Sequence, residues 1–195
     1  MSALTIREKI KFLDEAFKEA SLNLNSANGG PFGAVIVDLR KKEIIGRGHN
    51  TVIFDKDPTC HAEINAIRNA CKNINNHILF NTAIFTTCYP CPMCMSAIFW
   101  ARISDVYYSG SSSDAARIGF DDEIIYDYIS RVANPLKFHK DLLNKNLDSV
   151  DKIYREYYDE EDLNLNVKRE IIHLIPDMNN ELFDQWINKK DVVIY

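Results

Sequence analysis

The sequence carries no excess of positive charge. Its 195 residues hold 23 lysines and arginines against 28 aspartates and glutamates, a net charge of −5. Proteins that grip phosphate backbones usually show a basic surplus, so nucleic acid is not the expected partner. Long apolar runs are missing too: nothing approaches the roughly 18 residues that a membrane-spanning helix requires. The opening stretch, MSALTIREKIKFLDEAFKEA, interleaves acids and bases. It has neither the basic start and apolar block of a signal peptide nor the acid-poor composition of a transit peptide. It therefore reads as a structural helix, and the expected location is the cytoplasm. There is no internal repeat and no long low-complexity linker. The five cysteines are an odd number, and in a reducing compartment clustered cysteines more often bind metal or catalyse than form disulfides.

What is present is the composition of an ordinary globular chain, 46% hydrophobic and 26% charged, long enough for one domain over residues 1–195. Apolar positions Leu4, Ile6, Ile10, Leu13, Phe17, Ala20 and Leu24 recur at helical spacing and predict a long first helix, ended by NSANGGP. FGAVIVDL and EIIGRGHN are two β-branched runs that LRKK can close into a hairpin. Asp57-Pro58-Thr59 offers a helix start with Thr59 as candidate N-cap, followed by CHAEINAIRNACKN. AIFTTC reads as a strand, PMCMSAIFWAR as a helix opening on proline, and SDVYYSG as another strand. SSSDAARIGFDD is a loop with a short helical turn, and DEIIYDYI is helical. Strands alternating with helices predict an α/β domain, one sheet with helices on both faces. Residues 136–164 read as an added helical segment and 165–175 as a last strand. NNELFDQWINKK reads as a final helix, and DVVIY ends the chain as a tail within a C-terminal lid region of about 178–195.

The chemistry concentrates in TTCYPCPMC, residues 86–94. Cys91 and Cys94 stand at i and i+3 where a helix begins, so both sulfurs can reach one ion. The positive end of that helix favours thiolates. A zinc ribbon needs a second cysteine pair, which the chain lacks; a redox pair remains open. His61-Ala62-Glu63, about thirty residues upstream and also at a helix start, supplies the missing partner. One histidine and two cysteines make three ligands, and catalytic zinc sites keep a fourth position for water, where structural sites usually close with four protein ligands. Zinc lowers the pKa of bound water from about 15.7 to about 7, and a carboxylate such as Glu63 suits the remaining proton transfers. Cys88, at a strand end, reads as a packing residue or a neighbour of the ligands. Cys60 and Cys71 read as small apolar fillers. His49 reads as structural rather than as part of the site, and His77, His139 and His173 have no motif partner.

The paired motifs H-x-E and P-C-x-x-C are the signature of zinc-dependent nucleobase deaminases. With NGGPFGAVIV, DPTCHAEINAIRNAC, CPMCMSAIFWAR and DAARIGFDDEIIY, the chain resembles bacterial-type guanine deaminases of the cytidine-deaminase superfamily over about residues 5–130, and again near FDQWINKKDVVIY. The resemblance implies a three-layer α/β/α cytidine-deaminase-like fold with one mixed sheet and one zinc per chain held by His61, Cys91 and Cys94. It also implies hydrolysis of guanine to xanthine and ammonia. Water activated on the zinc would attack C2 while Glu63 moves protons. Asn50 would hydrogen-bond the purine and Phe32 would line the pocket, with Ala62 and Trp100 as further candidate contacts; Trp100 is weighed there against a place in the core. Asp122 would contact the base and assist proton transfer, although Asp121 and Asp122 could equally cap the following helix. Tyr195 would close the pocket, in a homodimer that exchanges C-terminal segments. Two departures stand out: Tyr89, where the family commonly has glutamate, and the inserted segment 136–164. Guanosine deaminase is the nearest rival, followed by tRNA adenosine deaminase, cytosine deaminase and a zinc scaffold without activity.

Overall fold

The first helix, α1 (Ile6–Ser21), begins at a capping box in which Thr5 accepts from the Glu8 amide and the Glu8 carboxylate accepts from the Thr5 amide. Its apolar stripe buries Phe12, Leu13, Ala16 and Ala20. A short 3-10 turn (Leu22–Leu24) follows. Strands β1 (Gly33–Asp38) and β2 (Glu43–His49) form the antiparallel hairpin that their β-branched residues predict. Then come α2 (Val52–Asp55), α3 (Ala62–Ile74), β3 (Thr82–Cys88), α4 (Pro92–Trp100), β4 (Asp105–Gly110), α5 (Ser112–Arg117), α6 (Glu123–Ala133), β5 (Glu170–His173) and α7 (Asn180–Ile187). The computed structural model describes residues 4–133, 170–175 and 178–190.

The sheet has five strands in the order β2-β1-β3-β4-β5. β1 runs antiparallel to β2 and β3, whereas β3, β4 and β5 are parallel, so the sheet is mixed. Alternation along the strands serves two helical layers. Ala34, Ile36, Ile84 and Val106 face Ala62, Ala66, Ala70 and Ile98 of α3 and α4. Val35, Val37, Ala83, Phe85 and Tyr107 face Phe12 and Leu13 of α1. Every residue of the central strand β3 is buried. This is the three-layer α/β/α arrangement around one mixed sheet that the resemblance implies. The chain divides into two units, Met1–Asp122 with Arg169–Tyr195, and Glu123–Lys168. The described part of the second is α6. No helix among the described residues is long and apolar enough to cross a membrane.

Three details depart from the sequence reading. The N-cap of α3 is His61, not Thr59. Thr59 is used earlier, its amide and hydroxyl both donating to Asp57 Oδ1 at 2.7 Å in a tight turn. The short helix α2 was not foreseen. The reading of Trp100 as core is overturned: it is 77% exposed at the last turn of α4. The 136–164 segment, residues 165–169 of the expected last strand, His139 and the DVVIY tail with Tyr195 lie outside the described residues.

A close backbone approach joins α3 to β2. A Cβ at Gly46 would come within 2.4 Å of the Ala66 carbonyl oxygen, and one at Gly48 within 2.4 Å of both the Ala62 carbonyl oxygen and the Ala66 amide. These neighbours are backbone and cannot yield as a flexible side chain would, so a methyl group here must lift the helix that begins at His61. Gly48→Ala should cost about 1–3 kcal/mol, the usual range for overpacking. Urea denaturation read by circular dichroism checks this; an unchanged midpoint would contradict the close approach.

Candidate metal centre

Because β1 runs antiparallel to its neighbours, the start of β1 and the ends of β2 and β3 share one end of the sheet. The loops leaving that end deliver Phe32, Asn50 and the Cys88–Cys91 stretch together, and two helices begin beside them. His61 is the N-cap of α3 and Cys91 the N-cap of α4, both in extended conformation. Neither side chain caps its own helix. Each turns instead toward the other: His61 Nδ1 lies 3.6 Å from Cys91 Sγ and 3.6 Å from Cys94 Sγ.

These spacings fit a metal. Tetrahedral zinc with Zn–S of about 2.3 Å and Zn–N of about 2.0 Å sets its nitrogen and sulfur ligands about 3.5 Å apart. The three donor atoms lie within 4.8 Å of one another, and no other such group exists among the described residues. Two sulfurs and an imidazole are a donor set suited to zinc. Cys88 is outside the group: its thiol donates to the Ser111 carbonyl at 3.2 Å and is buried in a cluster with Ala115, Ile118 and Phe183. Three donors and no fourth among the described residues are the count found at catalytic zinc sites, which keep a position for a small molecule.

The electrostatics agree. A hydrogen bond from Cys94 leads the effects that draw the Cys91 thiol below its ordinary range, burial opposes, and His61 adds to the lowering. Cys94 is pushed up, first by that same bond and then by burial, so the pair shares a proton with the charge on Cys91. Burial works against the charge on His61, but Cys91, Glu63 and Asp122 outweigh it and raise its pKa. Glu63, second residue of α3 and 6% exposed, is pushed up to about 7, chiefly by burial and then by the Cys91 charge, with His61 opposing.

The structure brings most other candidates to the same end of the sheet. The Asn50 amide donates to the Phe32 carbonyl at 3.1 Å, and Asn50 Oδ1 accepts from the Val52 amide at 3.2 Å. Phe32 stands edge-on to Phe120 at 5.0 Å and to Phe183 at 5.8 Å. Phe120 reaches it because Gly119, at φ 99, takes a backbone conformation that side chains disfavour and turns the chain back after α5. Asp122 has one buried carboxylate oxygen, and its negative charge bears on His61 and Cys88. Ala62 is fully buried in the core under α3. Trp100 is not brought in: it ends α4, about 13 Å along the helix from Cys91 at 1.5 Å per residue. His49 sits at the end of β2, 3.6 Å from Glu19, in line with a structural role.

Sequence reading missed Asn23, fully buried, whose amide nitrogen donates at 2.7 Å to both the Gly30 and Asn50 carbonyls. It missed Thr87, whose hydroxyl accepts from the Gly33 amide, and Asn65. A polar residue inside an apolar stripe was the available signal for Asn23.

Comparison with known proteins follows this geometry. Residues 6–110 match the family model of the cytidine and deoxycytidylate deaminase zinc-binding region. Over 122 residues the chain is 47% identical to guanine deaminase of Bacillus subtilis, covering 63% of this chain and 77% of that protein. The X-ray structure of that enzyme has a TM-score of 0.58 to this chain, covering 60% of it and 74% of the other. A tRNA-specific adenosine deaminase of Haemophilus influenzae is 43% identical over 98 residues, which span 50% of this chain and 56% of that protein.

The ligand geometry leads to a metal-content test. Zinc, measured by atomic absorption after dialysis, should be about one per chain. His61→Ala and Cys94→Ser should lose most of it, and Cys88→Ser should keep it. Zinc retained without Cys94 would place the metal elsewhere.

Proposed function

This chain belongs to the cytidine and deoxycytidylate deaminase zinc-binding family, and on that premise we propose that it hydrolyses guanine to xanthine and ammonia. The observation that carries the chemistry is the buried carboxylate of Glu63 beside a three-donor metal group. In this reading His61, Cys91 and Cys94 hold the zinc. Bound there, zinc supplies Lewis acidity that makes water a nucleophile near neutral pH.

The residues do the rest. Water adds its oxygen to C2 and the exocyclic amine leaves, so one C–O bond forms and one C–N bond breaks. Glu63 takes a proton from the water and delivers it to a ring nitrogen, then helps the amine leave as ammonia. A carboxyl held near 7 can both accept and return a proton at working pH. Phe32 and Asn50 sit side by side at the sheet end, one offering an aromatic edge and the other an amide to the base. Asp122 adds a negative charge close to His61, where it can accept a hydrogen from the base. Tyr195 is the proposed lid over the pocket. The homodimer with exchanged C-terminal segments belongs to the same reading: α7 buries Leu182, Phe183 and Trp186 in a cluster of its own chain, and a second copy offers the same side chains to the same cluster.

Guanine is favoured because the likeness to the Bacillus subtilis enzyme reaches further along both chains than the likeness to the tRNA-specific enzyme. The net charge of −5 also argues against a tRNA substrate.

Glu63→Gln should keep its zinc and lose about 10²–10⁴-fold in kcat, the usual worth of a proton-transfer group. Turnover near that of the parent would remove Glu63 from the chemistry. In a panel of guanine, guanosine, adenine, cytosine and an adenosine-containing RNA hairpin, ammonia release should be fastest from guanine. Faster release from guanosine or from the hairpin would overturn the substrate assignment.

A further inference from the structure

Three asparagines stand one turn apart on α3: Asn65, Asn69 and Asn73. Each donates its side-chain amide to a carbonyl of the edge strand β2, spaced two residues apart: Asn65 to His49 at 3.0 Å, Asn69 to Arg47 at 2.8 Å and Asn73 to Ile45 at 2.8 Å. A rise of about 6 Å over four helical residues nearly matches that over two strand residues, so the rungs stay in register. The ladder bonds carbonyls of β2 from the α3 side.

The rungs are not equivalent. Asn69 and Asn73 are exposed and each has this one strand contact. Asn65 is half-buried, and its amide nitrogen lies within bonding distance of two further oxygens, Thr51 Oγ1 at 2.9 Å and the Cys60 carbonyl at 3.3 Å. It thus joins the end of β2, the loop that presents Asn50, and the residue before His61. The Thr51 amide donates to that same Cys60 carbonyl at 2.9 Å, and the Asn65 amide donates to the His61 carbonyl at 3.0 Å. Asn50 and His61 are eleven positions apart in the chain, yet both segments meet at one side chain.

We propose that Asn65 is a positioning residue of the reaction, locking the Asn50 loop to the start of α3 so that the base-contacting amide, His61 and Glu63 move as one body. It touches neither substrate nor metal. The proposal rests on the reading of Asn50 as a base contact and of Glu63 as the proton carrier. The ladder supplies its own control, because Asn69 and Asn73 fasten the same helix to the same strand one and two turns further from the site.

The test compares Asn65→Asp, Asn65→Ala, Asn69→Ala and Asn73→Ala in the zinc-loaded full chain. Aspartate keeps the shape of Asn65 and its oxygen can still accept from Arg68, now 3.4 Å away, but it cannot donate to the three oxygens. Both Asn65 variants should keep their zinc and lose about 10²-fold in kcat/KM, the cost of a displacement of about 1 Å at a reacting centre. Asn69→Ala and Asn73→Ala should lower Tm slightly yet stay within about threefold in kcat/KM, since one exposed hydrogen bond contributes to folding alone. Kinetics are read on whichever base of the panel is turned over fastest, so a wrong substrate assignment does not disturb the comparison. Hydrogen exchange at the Thr51 amide gives a readout free of activity: it should quicken in Asn65→Asp and not in Asn69→Ala. Equal losses of kcat/KM across the four variants, or an Asn65→Asp enzyme with parental kcat/KM and parental Thr51 exchange, would overturn the proposal. A parent protein that releases no amine from any base would defeat the functional reading, while the exchange contrast would still decide whether Asn65 ties the two segments.

Discussion

Two helices that begin at one point are the constraint on which the site depends. A helix N-terminus exposes amides without intrahelical acceptors and carries partial positive charge. At α3 and α4 the N-cap side chains, one an imidazole and one a thiol, turn toward each other. Both positive ends favour thiolate over thiol, which is the state a metal ligand needs. The two starts can meet only because the helices behind them are held close over one sheet face. Ala62, Ala66 and Ala70 on α3 and Ile98 on α4 share a cluster with β1, β3 and β4. Gly46 and Gly48 let α3 descend until backbone meets backbone. The metal group is therefore a consequence of small residues well away from it, as much as of the three donors.

How much of this could be read beforehand follows the range of the interactions. The i, i+3 spacing of Cys91 and Cys94, the proline opening α4 and the β-branched run of β1 are local, and they were legible. So was the pairing of His61-Ala62-Glu63 with the cysteines, because it recurs as a motif. The N-cap of α3 was misplaced because Asp57-Pro58-Thr59 holds two turn signals. Thr59 spends its hydroxyl on Asp57 rather than on a helix amide. Trp100 was weighed toward the core by its size, but it falls on the outer side of a helix that is apolar nearly all round, where periodicity carries no direction. Asn23 and Asn65 looked like ordinary polar residues. Their partners are carbonyls up to 27 positions away, and nothing local encodes such a pairing.

The aromatic cluster around Phe32 is assembled from distant segments. Phe32 enters before β1, Phe120 follows α5, and Phe183 and Trp186 come from α7 near the end of the chain. Lys189 fastens the end of α7 by donating to the Asn23 carbonyl at 3.0 Å, while Asn23 in turn holds the carbonyls of Gly30 and Asn50. The last helix and the loop that carries Asn50 thus bear on the same buried asparagine. This links the C-terminal region to the Asn50 loop by hydrogen bonds, not only by apolar packing.

Glu63 decides between a catalytic and a merely structural centre. A carboxyl group at 6% exposure loses most of its hydration, and burial is the main reason its pKa rises. If the three donors served only to hold the chain together, this position would be better filled by an apolar or amide side chain, which carries no such penalty. In the proposed reading that penalty is offset because the proton is used. In that reading a carboxyl near 7 beside two sulfurs and an imidazole exchanges a proton with the bound water, and perturbed groups of this kind cluster at reacting centres. The feature that weakens the fold at this point is, in the proposed reading, the same one that serves hydrolysis.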